Sequence, residues 1–240
     1  MENATYAGLT RQFGLMAEMR VIANNIANSS TTGFKAEGVT FSEYVRTLGG
    51  DHSSLSMAAA RVRETDMAQG GLERTGGPFD LAIEGDGFFL IETADGERLT
   101  RAGRFTPNAE GELVNMDGRR VLDAGGAPVF VPQGAGQVAI GSDGTISVDG
   151  NPVGQVGLVV PADPLRVTRE GGTLFRAEGG TLPAEGGRVL QGFLEQSNVN
   201  PIVQIGRMIE VQRAYELGQS FLEAEDERIR GAIRTVGQTS

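Results

Sequence analysis

The sequence predicts an α+β protein: an antiparallel all-β central domain with N- and C-terminal helices paired in a coiled-coil-like stalk. Three observations predict it. One end carries a Pro-free run of helical periodicity, the other an apolar repeat of seven residues, and the middle holds five Asp-Gly pairs among short apolar runs. The boundaries read as a first stalk helix over 1–33, a connector of mixed structure over 34–74, a β-rich domain over 75–193 and a second stalk helix over 194–240.

Residues 4–28 justify the first element. Leu15, Met19, Ile22 and Ile26 recur at i, i+4, i+7 and i+11, the spacing of one helical face, and Leu9, Phe13 and Met16 widen that stripe. Gly33, just beyond, is expected as a helix terminator or a turn glycine. In the connector, Phe41, Tyr44, Val45 and Leu48 suggest a short apolar segment before the polar run GGDHSSLS.

The middle is read from its turns. Asp86-Gly87, Asp95-Gly96, Asp117-Gly118, Asp143-Gly144 and Asp149-Gly150 each signal a tight hairpin, because both central positions of a type I′ turn need φ > 0. Strands are expected at 79–84, 87–92, 112–116, 119–123, 128–131, 137–140, 144–148, 155–160 and 188–194. Without long helices between them, they imply antiparallel pairing.

At the C-terminal end, Met208, Tyr215, Leu222, Ile229 and Val236 repeat every seven residues, with Ile202, Ile205 and Ile209 broadening the start. The expected companion row is mixed: Gln212, Gln219 and Asp226 are polar, Ile205 and Ile233 apolar. Pro201 suits a first helical turn. At 1.5 Å per residue the last helix is roughly 57 Å long and the first roughly 37 Å. A compact domain of ~120 residues has a radius of gyration of only about 14 Å, so the last helix outreaches the β domain. An exposed apolar stripe of that size marks an interaction surface.

Asparagine adds a polar component. Asn24, Asn25 and Asn28 fall in the last turns of the first helix, and Asn198 and Asn200 open the second. Asn favours caps and turns, so a cap is expected at Asn198, whereas three Asn in one run point to polar contacts between helices. The expected assembly residues are therefore Leu15, Met19, Ile22, Asn24, Asn25, Ile26, Asn28, Asn198, Asn200, Met208, Tyr215, Leu222, Ile229 and Val236.

Composition narrows the function. With 21 basic and 31 acidic residues the net charge is −10, which argues against a nucleic-acid partner. Without Cys, thiolate metal sites, disulfides and Cys nucleophiles are excluded, and the single His52 leaves no multi-His site. No run approaches the ~20 apolar residues of a membrane helix, and MENATYAGLT does not open like a secretory signal. Gly134-Ala135-Gly136-Gln137-Val138-Ala139 fits G-x-G-x-x-A, but turn and strand follow where a nucleotide site needs a helix. Asp80, Glu84 and Asp86 could be a glycosidase carboxylate set, yet they read more simply as solvated strand ends. His52 beside Ser53 and Ser54 has no G-x-S-x-G elbow, and Asp143–Asp149 lacks calcium-loop spacing. The acidic cluster Glu223, Glu225, Asp226 and Glu227 reads as a solvated helix face. No catalytic residue, cofactor or metal is expected.

Three motifs then carry a resemblance. VIANNIANSSTTGFKAE (21–37), FDLAIEGDGFFLIETADGERLTRAGRFTPNAEGELVNMDGRRVL (79–122) and LEQSNVNPIVQIGRMIEVQRAYE (194–216) resemble, in order, the N-terminal, central and C-terminal motifs of bacterial flagellar rod and hook proteins. Within that family the length sets aside the short rod proteins and the long hook protein. The opening MENATYAGLTRQFGLMAEM and the stretch VAIGSDGTISVDGNPVGQVGLVVPAD are similar to the proximal-rod type, with the distal-rod type next. The resemblance implies a structural rod subunit in the periplasm, exported through the flagellar type III apparatus without a cleaved signal. It implies partnership with other rod proteins and with its own copies, terminal helices packed into an inner tube, and neither nucleic-acid binding nor membrane insertion. From other classes, a cell-wall glycan enzyme would rest on the carboxylates of 80–86. A carbohydrate-binding β module is disfavoured by sparse aromatics and no Trp.

Overall fold

The computed structural model describes residues 2–46, 55–132, 134 and 136–238, without the side chains of 2–5, 41–46, 55–63, 232–233 and 235–238. The side chains of Phe41, Tyr44, Val45, Ile233 and Val236, and all of Leu48, His52, Ser53 and Ser54, therefore lie outside the described residues. The fold is α+β. Two compact units share the chain: a helical unit of residues 1–27, 36–66 and 200–240, and a β body of residues 28–35 and 67–199.

The helical unit contains α1 (Glu2–Ala27), the strands β1 (Glu37–Arg46) and β2 (Leu55–Thr65), and α2 (Pro201–Gln238). The region read as a connector thus begins as a two-stranded antiparallel ribbon, running from Glu37↔Thr65 to Arg46↔Leu55 with a register shift after Thr40. Asn25 fixes where the ribbon starts: its Nδ2 donates to the Glu37 carbonyl at 2.7 Å and its Oδ1 accepts from the Glu37 amide at 2.9 Å. At α2, the cap is Asn200, not Asn198. The Asn200 Oδ1 accepts from the amides of Ile202 and Val203 at 3.1 and 3.2 Å, the geometry that satisfies first-turn donors ahead of a Pro at N1. Asn198 instead donates to the Ala68 carbonyl within the body.

Among its described residues the body holds sixteen strands: β3 (Leu72–Arg74), β4 (Leu81–Glu84), β5 (Phe88–Thr93), β6 (Gly96–Thr100), β7 (Phe105–Pro107), β8 (Leu113–Asn115), β9 (Val121–Leu122), β10 (Val138–Ile140), β11 (Thr145–Val148), β12 (Asn151–Gln155), β13 (Leu158–Pro161), β14 (Val167–Gly171), β15 (Leu174–Ala177), β16 (Thr181–Pro183), β17 (Arg188–Gln191) and β18 (Phe193–Glu195). The largest sheet runs β14-β15-β6-β5-β13-β16, with β9 also on β5; smaller sheets are β10-β11-β12, β17-β4, β18-β3 and β7-β8. Every register pairing is antiparallel.

Strand β5 explains the core. Phe89 and Ile91 enter one buried cluster with Leu81, Phe105 and Val121, while Phe88 and Leu90 enter a second with Leu99 and Phe175. A strand buried on both faces reads as an unbroken apolar run, as FFLI does. Edge-to-face ring pairs lock both clusters, Phe89–Phe105 at 5.2 Å and Phe88–Phe175 at 5.9 Å between centroids.

Two turn expectations are corrected. Among the five Asp-Gly pairs, only Asp149-Gly150, joining β11 to β12, has φ > 0 at both residues (50° and 84°); elsewhere the glycine alone does. Asp86-Gly87 does not close a hairpin, since β4 pairs with β17 and β5 with β6, β9 and β13. Of the two readings of Gly33, the turn glycine holds and the terminator does not, since α1 ends six residues earlier at Ala27. Gly33 lies at φ 68° over the backbone of Arg101 and Ala102, where a Cβ would come within 2.3 Å. The expected strand at 128–131 is reduced to isolated bridges at Pro128 and Phe130.

Candidate assembly site

In the helical unit α1 and α2 lie antiparallel, as four contacts show. A Cβ on Gly8 would be 2.9 Å from Leu222. Gln12 Nε2 donates to the Tyr215 carbonyl at 2.9 Å, Arg207 Nε to Glu18 Oε1 at 2.8 Å, and Asn25 Nδ2 to Gln204 Oε1 at 3.4 Å. The numbers rise along α1 as they fall along α2. The Glu18 pairing raises the Arg207 guanidinium above its usual value, first through the hydrogen bond and then through charge.

Met208, Tyr215, Leu222 and Ile229 are half-buried on α2, so their side is turned away from solvent. The row that accompanies them is Gln204, Val211, Gly218 and Glu225, not the expected Gln212, Gln219 and Asp226, which are exposed, nor Ile205. Glycine decides between the rows: a Cβ at Gly218 would sit 2.4 Å from Gln12 Nε2, so only a residue without one lets Gln12 approach. On α1, Ile22 is buried and Leu15, Met19 and Ile26 are half-buried. Asn24 is exposed and donates to Glu37 Oε2 at 3.3 Å, and Asn25 is buried. Asn28 lies past the helix in the body, accepting from the Thr31 hydroxyl. The structure thus brings Asn25 into helix–helix contact and assigns Asn28 and Asn198 to the body. Gly8, Gln12, Glu18, Gln204, Val211 and Gly218 are contact residues that sequence reading missed.

A buried ion cluster organises the body. Glu195, fully buried, accepts through Oε1 from Lys35 Nζ at 2.5 Å and the Gly70 amide at 2.9 Å, and through Oε2 from Arg101 Nη1 at 3.3 Å. Lys35 Nζ also donates to the Ala68 carbonyl at 2.8 Å and Arg101 Nη2 to that of Gly85 at 2.9 Å, while the buried Arg101 Nε has no hydrogen-bond partner. The Arg169 guanidinium lies 4.5 Å above the Phe34 ring and also donates to the Lys35 carbonyl. One residue from each of the three sequence motifs meets here. The sequence signal is a charge inside an apolar run, as in GFK, LTRAGRF and FLEQ.

The chemical alternatives find little support. Arg188 binds Glu84 and holds its carboxyl below the usual range, opposite to what a general acid needs. Asp80 accepts from the Thr75 hydroxyl at 2.6 Å. A groove of about 630 Å³, bordered by Asp95, Arg104, Asn115, Arg119 and Glu170, has no aromatic lining on which a sugar could stack. Among the described residues no group of acidic and His side chains is placed to hold a metal, and no helix is long and apolar enough to cross a membrane.

Comparison with known proteins assigns this architecture. Residues 14–35 match the family described as flagella basal body rod protein, residues 82–148 the flagellar hook protein FlgE/F/G D1 domain, and residues 190–235 the flagellar basal body rod FlgEFG protein C-terminal family. The flagellar basal-body rod protein FlgF of Caulobacter vibrioides is 40% identical over 99% of each chain. The chain belongs to the flagellar rod and hook protein family. FlgF of Mesorhizobium japonicum is 37% identical over the full length of both chains, and FlgG of Bacillus subtilis 34% over 97% of this chain and 98% of its own. Among these relatives of the rod-family chain, FlgF-type proteins have the higher identities and FlgG the next. No enzymatic family is indicated.

Proposed function

We propose that the chain is a structural subunit of the proximal part of the flagellar rod, polymerising through its terminal helices into the shaft that transmits torque to hook and filament. The observation that carries this is the distribution of apolar surface. Ten of the fifteen large apolar side chains left exposed among the described residues lie on α1 and α2. Association covers such surface, and burying one Leu or Ile contributes about 1.5–3 kcal/mol. The two helices act as a coiled-coil-like stalk whose seam, from Leu15 to Ile26 and from Met208 through Leu222 and Ile229 to Val236, keeps them presented as one element. The subunit does no chemistry. Its partners are other rod proteins and its own copies in the periplasm, reached through the flagellar type III export apparatus.

Two measurements test this. A tagged chain should co-purify with basal bodies; its absence there would refute the rod assignment. Leu222→Asp puts a charge where Leu222 meets Gly8, and desolvating it is costly. The expected outcome is a chain that is exported and keeps its β body but is missing from basal bodies, leaving cells non-motile. Replacing exposed Glu223 with another acidic residue should be tolerated. Normal assembly of Leu222→Asp would refute the role of the helix pair.

A further inference from the structure

Two solvent-facing rows on the helical unit match each other position by position. On α1, Tyr6, Leu9, Phe13 and Met16 are exposed, and exposed Arg20 follows seven residues after Phe13. On α2, Ile202, Ile205 and Ile209 are exposed, and exposed Glu216 follows seven residues after Ile209. Laid parallel, Tyr6 meets Ile202, Leu9 meets Ile205, Phe13 meets Ile209, Met16 meets Gln212 and Arg20 meets Glu216. Seven residues are two helical turns, so each row stays on one face. The charges are complementary and available. Arg20 reaches only the Met16 carbonyl of its own helix, at 3.4 Å, and the Glu216 carboxylate makes no ion pair among the described residues.

A second observation marks the α1 row as unfinished. A groove of about 220 Å³ between the helices is bordered by Leu9, Gln12, Phe13, Met16, Tyr215 and Leu222. Gln12 is 8% exposed, and its Oε1 has no hydrogen-bond partner. A buried acceptor without a donor is unfavourable.

One chain cannot bring the rows together. Within the chain the helices are antiparallel, with Gly8 at Leu222 and Asn25 at Gln204, so Ile202 lies at the far end of the pair from Tyr6. The parallel match needs a second α2. Resting on the assembly reading above, we propose that α1 of one copy receives α2 of a second copy of this chain, in parallel, in the register Tyr6–Ile202, Phe13–Ile209, Arg20–Glu216. Neither row complements itself: two α1 rows laid parallel oppose Arg20 to Arg20, and laid antiparallel about Phe13 they set Arg20 against Tyr6, with no acidic partner in either case. The contact is therefore head-to-tail and leaves one row of each kind free on every pair, which is the condition for open-ended growth.

Charge reversal in the full chain in motile cells tests the register. Arg20→Glu and Glu216→Arg should each remove the chain from basal bodies, and the double variant should restore it. Both sites are exposed, so the melting of the purified chains should stay unchanged. In the naturally Cys-free protein, a mixture of Phe13→Cys and Ile209→Cys chains should form a disulfide-linked pair under mild oxidation. Normal incorporation of both single reversals would overturn the proposal. So would a double variant as defective as the singles, which would mean that another protein occupies the row. Were the unaltered tagged chain itself absent from basal bodies, the rod assignment would fail and this register with it; incorporation insensitive to these charges removes the register alone.

Discussion

The β body and the helical unit use apolar residues in opposite ways. Among the described residues, only Val21, Ile22 and Val211 of the twenty-seven buried apolar side chains belong to the helical unit, while ten of the fifteen large exposed ones do. The body closes its apolar core internally, with an FFLI strand buried on both faces, and holds a buried carboxylate between two cations and an amide. The helical unit pairs its helices through narrow contacts at Gly8 and Gly218 and leaves Tyr6, Phe13, Ile202 and Phe221 to solvent. On the proposed reading, stability resides mainly in the body and the capacity to associate in the helical unit.

The largest expected effect lies in the body. Glu195→Gln leaves Lys35 and Arg101 buried without their anion and should lower the body's unfolding free energy by about 3–5 kcal/mol, since breaking a buried pair exposes the full desolvation cost. Thermal melts of the full chain would show it, and an unchanged transition would mean that the cluster does not organise the body. Phe89→Ala should cost a similar ~3–5 kcal/mol through the cavity it leaves between the strands.

A smaller effect is expected from acid. The Arg98 hydrogen bond and charge hold the Glu170 carboxyl low, the Thr145 hydroxyl and amide do the same for Asp143, and Arg188 for Glu84. A carboxylate lowered in the folded state contributes stability above its unfolded value that is lost as pH falls through its folded one. The body's melting temperature should therefore decline below about pH 4. These groups are exposed, so salt should weaken the effect. A melting temperature that rises below that pH would contradict the assignment. Smallest of all, Phe13→Ala should change the free chain's stability by no more than ~0.5 kcal/mol, as for a surface site. A Phe13→Ala chain as destabilised as Phe89→Ala would break the comparison.

The helices were legible in the sequence because 3.6-residue periodicity is local: the periodic run over 4–28 falls within two residues of both ends of α1, and the seven-residue repeat from Met208 to Val236 lies within α2. Strands with unbroken apolar runs, such as β4 and β5, were legible too. Strands β14 and β15 were not, because VTREG and LFRA carry charges that obscure alternation where the strands meet water. The companion row of α2 was misread for a physical reason: positions three and four residues on are equally periodic, and only the close approach at Gly218 chooses between them. The pairing within the ion cluster was not legible, because Lys35 and Glu195 stand 160 residues apart and meet only once the sheets have formed.

The central claim is that the outer helix row is open in the free chain and covered in the rod, while the body's core is closed in both. Thiol labelling tests it in a chain with no native Cys. Leu9→Cys should react rapidly with a maleimide in the purified free chain and become protected in isolated basal bodies. Equal reactivity in both states would contradict the account.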